Sequence, residues 1–351
     1  MAKFIGKNIQ LEIYGESHAE CIGVRANGFP RHEIDEAALG EFMARRRAGS
    51  GVFSTPRVEA DEPVFYGLDG TFTTECWGAE IVNANKKSAD YNELYGRPRP
   101  SHADYAWHKK DGTLDFSGGG RFSGRLTAAL CVAGGVAKQI LSKMGIRVEA
   151  YVSRVGAVQA RSYKTSPITA DEVVRLRSGA FPSLDKKEEI IAEITGIKQE
   201  SDSVGGAIEC IVDGLCAGVG DNLFEGLEGK IAGLVYGVPG VKGVEFGAGF
   251  GLAPMRGSEA NDPLYFEDGR VVFGSNNAGG INGGISNGNA ITLAVAMRPT
   301  PSIGVEQDSV DLVSGQNVKI KVHGRHDACI VPRAVPCIES AVALAILDEI
   351  L

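Results

Sequence analysis

Two long apolar helical stretches, about 123–144 and 336–351, constrain this chain most. Each follows a tight turn that joins glycine to arginine: Gly118-Gly119-Gly120-Arg121 before the first, Gly324-Arg325-His326-Asp327 before the second. Glycine lets a backbone approach a ligand closely, and the first turn of a helix offers unpaired N–H groups to an anion. An arginine beside such a turn adds a forked cation suited to phosphate or carboxylate. Two such units suggest an enzyme that holds more than one anionic ligand, and they suggest an internal duplication. The plain alternative is a pair of ordinary tight turns leading into core helices, since short glycine motifs are common.

The 47 glycines among 351 residues are about twice the usual share of roughly 7%. They follow no fixed repeat, which excludes collagen-like and low-complexity chains and points to many turns. A composition 43% hydrophobic and 23% charged permits a sizeable core. The net charge of −8 argues against nucleic acid as a partner, whereas local arginine clusters suit small anions. Seven scattered cysteines without a CxxC pair indicate neither a zinc knuckle nor a disulfide framework. No signal peptide and no charge-free run of eighteen apolar residues stands out. The expectation is a reduced, soluble, cytoplasmic protein with no bound metal.

Along the chain, Ile9–Tyr14 alternates like a strand and runs into the polar turn Gly15-Glu16-Ser17-His18. Asp35 is a candidate N-cap for a helix to about Arg47, with Leu39, Phe42 and Met43 as its apolar stripe. Val64–Thr74 reads as a hairpin around Asp69-Gly70. Residues 83–120 read as one long loop, of the kind that is usually functional. Gly145 is placed to end the helix that starts near Ser123. Strands are expected at 146–160, 206–213, 232–237, 290–297 and 317–323, with a helix at 169–177 and another from Pro336 to Leu351. The regular βαβ rhythm and the Rossmann GxGxxG fingerprint are both missing.

The segments Gly15-Glu16-Ser17-His18, Arg45-Arg46-Arg47, Arg99-Pro100-Ser101-His102-Ala103-Asp104-Tyr105 and Gly118 to Arg125 resemble the chorismate synthase family. So do Asp202 to Gly206, Val241 to Glu245, Asn276 to Gly280 with Gly283 to Ser286, Arg298 to Ser302, and Gly324 to Asp327. All occur in the family's order, over essentially the whole length. The resemblance implies an α+β fold, with antiparallel sheets packed around central helices as a β-α-β sandwich, in a single domain spanning 1–351. It implies an anti-1,4-elimination that converts 5-enolpyruvylshikimate 3-phosphate to chorismate and phosphate. The reaction needs reduced FMN (FMNH2), with no net redox change. The flavin would come from a separate, NADPH-linked reductase, and the protein would be a homotetramer, a dimer of dimers.

By the same resemblance His18 assists phosphate departure, His102 protonates or stabilises the flavin, and Asp327 acts through flavin N5 as the base for the C6 proton. FMN contacts fall on Arg121, Ser123, Gly283, Arg298, Thr300, Ser302 and Arg325. Substrate contacts fall on Ser17, Arg45, Arg46, Arg47, Arg99, Arg125 and Arg333. Histidine titrates near neutrality and suits a proton donor, although a lone histidine in a polar turn is often only structural. Three successive arginines cannot share one helix face, so only one or two of Arg45–Arg47 are expected to reach a ligand. Asp327 could equally be an ion-pair partner of nearby cations. His32, His108 and His323 are read as structural, and the role of His326 is left open.

The chain departs from the family pattern at Ala19, Val52, Ser101, Phe122, Leu126, Ala248 and Ala328. Phe122 matters most, because a ring among the flavin contacts either stacks on the ligand or obstructs it. With His18, His102 and Asp327 retained, an active but divergent enzyme is favoured over a non-catalytic or altered-specificity flavoprotein. A flavin oxidoreductase with net redox turnover is a third reading, distinguished by its consumption of reductant.

Overall fold

Alternating side chains near the start of the chain build a first sheet. Its strands are β1 (Ala2–Ile5), β2 (Gln10–Gly15), β3 (Cys21–Asn27), β4 (Val64–Tyr66) and β5 (Cys76–Val82). They pair antiparallel in the order β1-β2-β3-β5-β4. Period-2 alternation sends Ile22, Val24 and Ala26 of β3, with Trp77, Ala79 and Ile81 of β5, to one buried face. The structure is a computed structural model that describes residues 1–16, 19–47, 60–83, 94–116, 118–175, 181–322 and 327–351.

Between the sheets run helices. α1 (Glu36–Ala44) starts at Asp35, whose side chain accepts from Ala38 N at 2.9 Å as the expected N-cap. α2 (Asp104–Asp111) follows at the surface, with only Asp104 buried, and within the layer α3 (Thr127–Lys143) is buried on all sides over its first eleven residues. Gly145 ends α3 at φ +80°: its N–H bonds Ser142 O, and Ile146 N bonds Leu141 O, a Schellman closure.

The second sheet begins with β6 (Arg147–Val155) and β7 (Val158–Gln159), followed by α4 (Ala170–Arg175) and α5 (Lys187–Gln199). β8 (Gly206–Asp213), α6 (Leu227–Tyr236) and β9 (Val241–Phe246) come next. The glycine- and asparagine-dense region holds α7 (Gly257–Ala260) and two small hairpins, β10 (Leu264–Glu267) with β11 (Arg270–Phe273) and β12 (Ile281–Asn282) with β13 (Ile285–Ser286). β14 (Ile291–Met297) then completes an antiparallel sheet in the order β7-β6-β8-β14-β9. The hairpin β15 (Gln307–Asp311) and β16 (Gln316–Ile320) precedes α8 (Val331–Ile350). α3 packs on β3 and β5, α8 packs on β6 and β8, and the two helices pack on each other. The result is the expected sandwich of sheet, helices and sheet.

Close helix approach depends on two adjacent glycines. A Cβ on Gly134 would lie 2.2 Å from Ser340 Cβ and 2.4 Å from its Cα, on α8. A Cβ on Gly135 would lie 2.4 Å from Leu39 Cδ1, on α1. Hydrogen atoms at these positions let three helices share one layer.

Four expectations are corrected. β4 pairs with β5, so the strand facing Val64–Tyr66 begins at Cys76 and not before Thr74; only a small turn forms at Asp69–Phe72. Residues 232–237 belong to a helix, because Leu227, Ile231 and Val235 repeat at helical spacing and are buried together. The stretch read as one loop contains α2, closed by Gly112 at φ +79°. α8 starts five residues before Pro336: Pro332 occupies its first turn, where a missing N–H costs nothing, and Pro336 lies inside. A further helix, α5, buries Ile190 and Ile194.

Gly134→Ala should therefore force α3 from α8 and lower the unfolding free energy by about 1–3 kcal/mol. Gly196→Ala in α5, where a Cβ meets nothing within 4 Å, should raise it by up to about 1 kcal/mol. Urea denaturation of the two variants checks the contrast.

Candidate active site

Several chain segments converge beside the helix layer: the turn after α1 with Asp61, the stretch Arg99 to Ala103 before α2, the 3-10 turns Gly120–Phe122 and Gly124–Leu126 that lead into α3, the turn between α6 and β9, the stretch after β14, and the start of α8. They enclose a cavity of about 440 Å3. Six arginines (Arg46, Arg47, Arg99, Arg125, Arg298 and Arg333) and two aspartates (Asp61 and Asp327) line it. These groups sum to +4 in a chain whose net charge is −8. Such a focus of one sign raises the local concentration of anions.

The arginines divide by their partners. Arg45 turns away from the cavity and grips buried Glu339 with both ends of its guanidinium, at 2.7 and 2.8 Å. Lys138 and Ala150 N bind the same carboxylate. Its expected substrate contact is thereby replaced by a core ion pair. Arg46, 4% exposed, donates to Asp61 (2.5 Å), Thr127 Oγ1 (3.0 Å) and Gly124 O (2.9 Å). Arg125 donates to the other oxygen of Asp61 and to Asn83 Oδ1 at 2.9 Å. Arg333 pairs with Asp327 at 2.5 Å and donates to Arg46 O.

Two cavity cations differ from these. Among the described residues Arg298 bonds only carbonyls, Ser101 O at 2.6 Å and Pro299 O at 3.1 Å. Arg47 has a buried Nε with no hydrogen-bond partner among the described residues. A buried donor left unmade costs about 1–3 kcal/mol, and Arg47 also has no carboxylate partner among the described residues while lining the cavity.

Arg99 is enclosed by its own neighbours. It donates to Asp104 through the backbone N (3.0 Å), Nε (2.8 Å) and Nη2 (2.8 Å), to Gly118 O at 2.6 Å and to Ser302 Oγ at 3.2 Å. The structure thus makes it a scaffold residue, although it was expected to bind substrate. Asp104, which sequence reasoning passed over, also binds His102 Nδ1. Burial alone would raise the Asp104 pKa, but hydrogen bonds from Arg99 and His102 outweigh it and hold the value near about 2.

Ser101 stands at φ +58° against the cavity. This left-handed backbone is one that glycine adopts at no steric cost and serine does not. Ser123 Oγ accepts from Arg125 N, and Ser302 Oγ accepts from Arg99, so each hydroxyl keeps its own proton for an acceptor. Thr300 Oγ1 donates to Asp327 O at 3.0 Å. Phe122 leans edge-on against Trp107, with centroids 5.4 Å apart, and walls the cavity without filling it.

Arg121 lies outside the cavity lining, with its guanidinium 4.4 Å over the Trp107 ring and 3.7 Å from Glu16. Gly283 sits in the β12–β13 turn, where the next residue, Gly284, packs on Asp221, and it does not line the cavity either. Ser17, His18, Val52, Arg325, His326 and His323 lie outside the described residues. The remaining histidines are held structurally: His32 is buried against Gln139, and His108 bonds Thr113 O at 2.8 Å.

Fold and cavity together define a class: an α+β sandwich with an arginine-lined site for small polyanions. The family profile described as chorismate synthase matches residues 9–351. A chorismate synthase of Korarchaeum cryptofilum is 41% identical over 353 residues, covering 99% of this chain and 96% of that protein. The one from Thermococcus kodakarensis is 40% identical over 352 residues, with 99% and 97% covered. That of Dehalococcoides mccartyi is 38% identical over 357 residues, with 99% and 96% covered. A crystal structure of chorismate synthase shares the fold at a TM-score of 0.75 and 23% identity, covering 99% of this chain and 92% of its own. The chain belongs to the chorismate synthase family.

The low pKa of Asp104 has a definite sign. A carboxylate depressed on folding contributes stability above its unfolded pKa, about 3.9, and loses it as pH falls toward 2. Asp104→Asn should cost about 2 kcal/mol at neutral pH, and the gap from wild type should close as pH drops from about 4 to about 2. Urea denaturation across that range checks both parts.

Proposed function

We propose that this chain is a chorismate synthase, which eliminates phosphate from 5-enolpyruvylshikimate 3-phosphate in the anti-1,4 sense to give chorismate. The observation that carries the reading is the cavity with its +4 lining, set in a chain whose family match runs from residue 9 to its last residue. The substrate brings two carboxylates and a phosphate, and FMN brings another phosphate. A cavity of this size falls within the range of small-molecule sites, about 300–1,000 Å3.

The residues present fit a flavin. Among the described residues Ser123 and Ser302 keep unused hydroxyl protons, Arg298 offers a cation without a carboxylate partner, and Phe122, Pro239 and Ile330 form apolar wall. Ser123, Arg298, Thr300 and Ser302 would hold it. When bound, reduced FMN supplies transient electron density, and it is regenerated with no net redox change.

The chain's own residues do the remaining work. Arg47, which lines the cavity without a carboxylate partner among the described residues, receives a substrate anion, while Arg46, Arg125 and Arg333 shape the wall and its field. His102 moves a proton at Nε2, and Asp327, held beside Arg333 at 2.5 Å, is the base that helps remove the C6 proton, by way of the flavin as the family resemblance implies. His18, Ser17 and Arg325 keep the roles that the family resemblance gives them. The same reading covers one domain over 1–351, a cytoplasmic location, a separate NADPH-linked reductase and a homotetramer. Phe224 (94% exposed), Phe250 (86%) and Phe266 (77%) are apolar side chains that further copies would cover.

The test is an anaerobic assay with 5-enolpyruvylshikimate 3-phosphate and chemically reduced FMN. Equal release of chorismate and phosphate, with no flavin oxidised per turnover, is expected. Oxidation of flavin in step with product would make the protein an oxidoreductase. FMN binding with no product would make it a non-catalytic or altered-specificity homologue.

A further inference from the structure

Arg99, Asp104 and His102 form a chain of donors and acceptors whose protons can be counted. Arg99 Nη2 carries two. Their nearest acceptors are Gly118 O at 2.6 Å and Asp104 Oδ1 at 2.8 Å. Nη2 also faces Phe116 O at 3.3 Å and His102 Nδ1 at 3.1 Å, so its two protons are shared and the state of Nδ1 is decided by the carboxylate instead. Asp104 Oδ2 is occupied by Arg99 N and Nε. Its Oδ1 faces Nδ1, and a carboxylate surrounded by these donors only accepts. Nδ1 therefore carries the imidazole proton. Nε2 makes no hydrogen bond among the described residues, and His102 lines the cavity.

We propose that Asp104 is a positioning residue for His102: clamped by Arg99, its carboxylate fixes the Nδ1–H tautomer and aims the Nε2 lone pair into the cavity. The arrangement follows the general logic by which a buried carboxylate sets the tautomer and ring orientation of a working histidine. Depression of the Asp104 pKa to about 2 keeps it an acceptor at every pH where the protein works. The clamp also reaches Ser302 Oγ at 3.2 Å, so the same guanidinium ties the histidine's support to the segment after β14. The proposal rests on His102 acting in the reaction assigned above.

An asparagine at 104 cannot serve all these donors. Its single oxygen would be drawn to Arg99, and its amide would donate to Nδ1, which reverses the tautomer. Histidine labelled with nitrogen-15, read by solid-state NMR in the full-length protein, reports the state directly once His102→Asn has identified the resonance. Wild type should show Nδ1–H, and Asp104→Asn should show Nε2–H. In the assay, Asp104→Asn should lower kcat by roughly 10- to 100-fold and leave KM for the substrate within about twofold. Asp104→Glu, which keeps both oxygens, should keep the Nδ1–H state and recover part of kcat.

Wild-type His102 in the Nε2–H form would overturn the proposal, whether or not Asp104→Asn folds. So would an unchanged tautomer in a folded Asp104→Asn, since a merely structural role would lower stability without moving the proton. A wild-type protein that shows Nδ1–H yet releases no chorismate would instead defeat the assigned reaction, so the two failures are separable.

Discussion

One buried carboxylate shared by two buried guanidiniums governs the site. Asp61 accepts from Arg46 on one oxygen and from Arg125 on the other. Through it the turn after α1 is tied to the turns that lead into α3, so the cavity wall is fixed by the helix layer itself. Removing one partner of such a buried pair costs about 3–5 kcal/mol, because a charge is left stranded. Asp61 stands at φ +49°, a backbone state that costs a non-glycine residue about 1–3 kcal/mol. The two arginines hold it there.

The same logic recurs around the cavity. Glu339 neutralises Arg45, Asp104 neutralises Arg99, and Asp327 neutralises Arg333. Most of the clustered arginine is thus architecture. It lets an acidic chain bury many cations without repulsion and leaves two, Arg47 and Arg298, without a carboxylate partner among the described residues. On the reading proposed above, the carboxylate-paired arginines set the shape and the field, and Arg47 and Arg298 are the ones assigned to the ligand.

Much of this was legible in the sequence because local rules agreed with the fold. Asp35 as a cap, Gly145 as a helix stop, and the strands at 206–213 and 290–297 all follow from short-range chemistry. The segment 232–237 was not legible, because a short apolar run fits a strand and a buried helix alike, and only its repeat with Leu227 decides. The cavity arginines could be named from motifs, but their division of labour could not. Which carboxylate reaches which guanidinium depends on residues far apart in the chain, such as Glu339 and Arg45. Asp104 is the instructive miss. It lies in the same motif as His102, yet its role appears only when the donors of Arg99 are counted in space. Arg121 and Gly283 show the converse, since motif position alone placed them in the ligand site and the geometry of this chain does not.

The division between architectural and receptive arginines is the central claim, and a paired measurement tests it directly. Arg47→Gln and Arg46→Gln would each be titrated with 5-enolpyruvylshikimate 3-phosphate in the presence of oxidised FMN, and each unfolded in urea. Arg47→Gln should weaken binding by about tenfold or more, the worth of a charged hydrogen bond, and leave stability within about 0.5 kcal/mol. Arg46→Gln should lower stability by about 3–5 kcal/mol. An Arg47→Gln that binds normally but unfolds early would contradict the account.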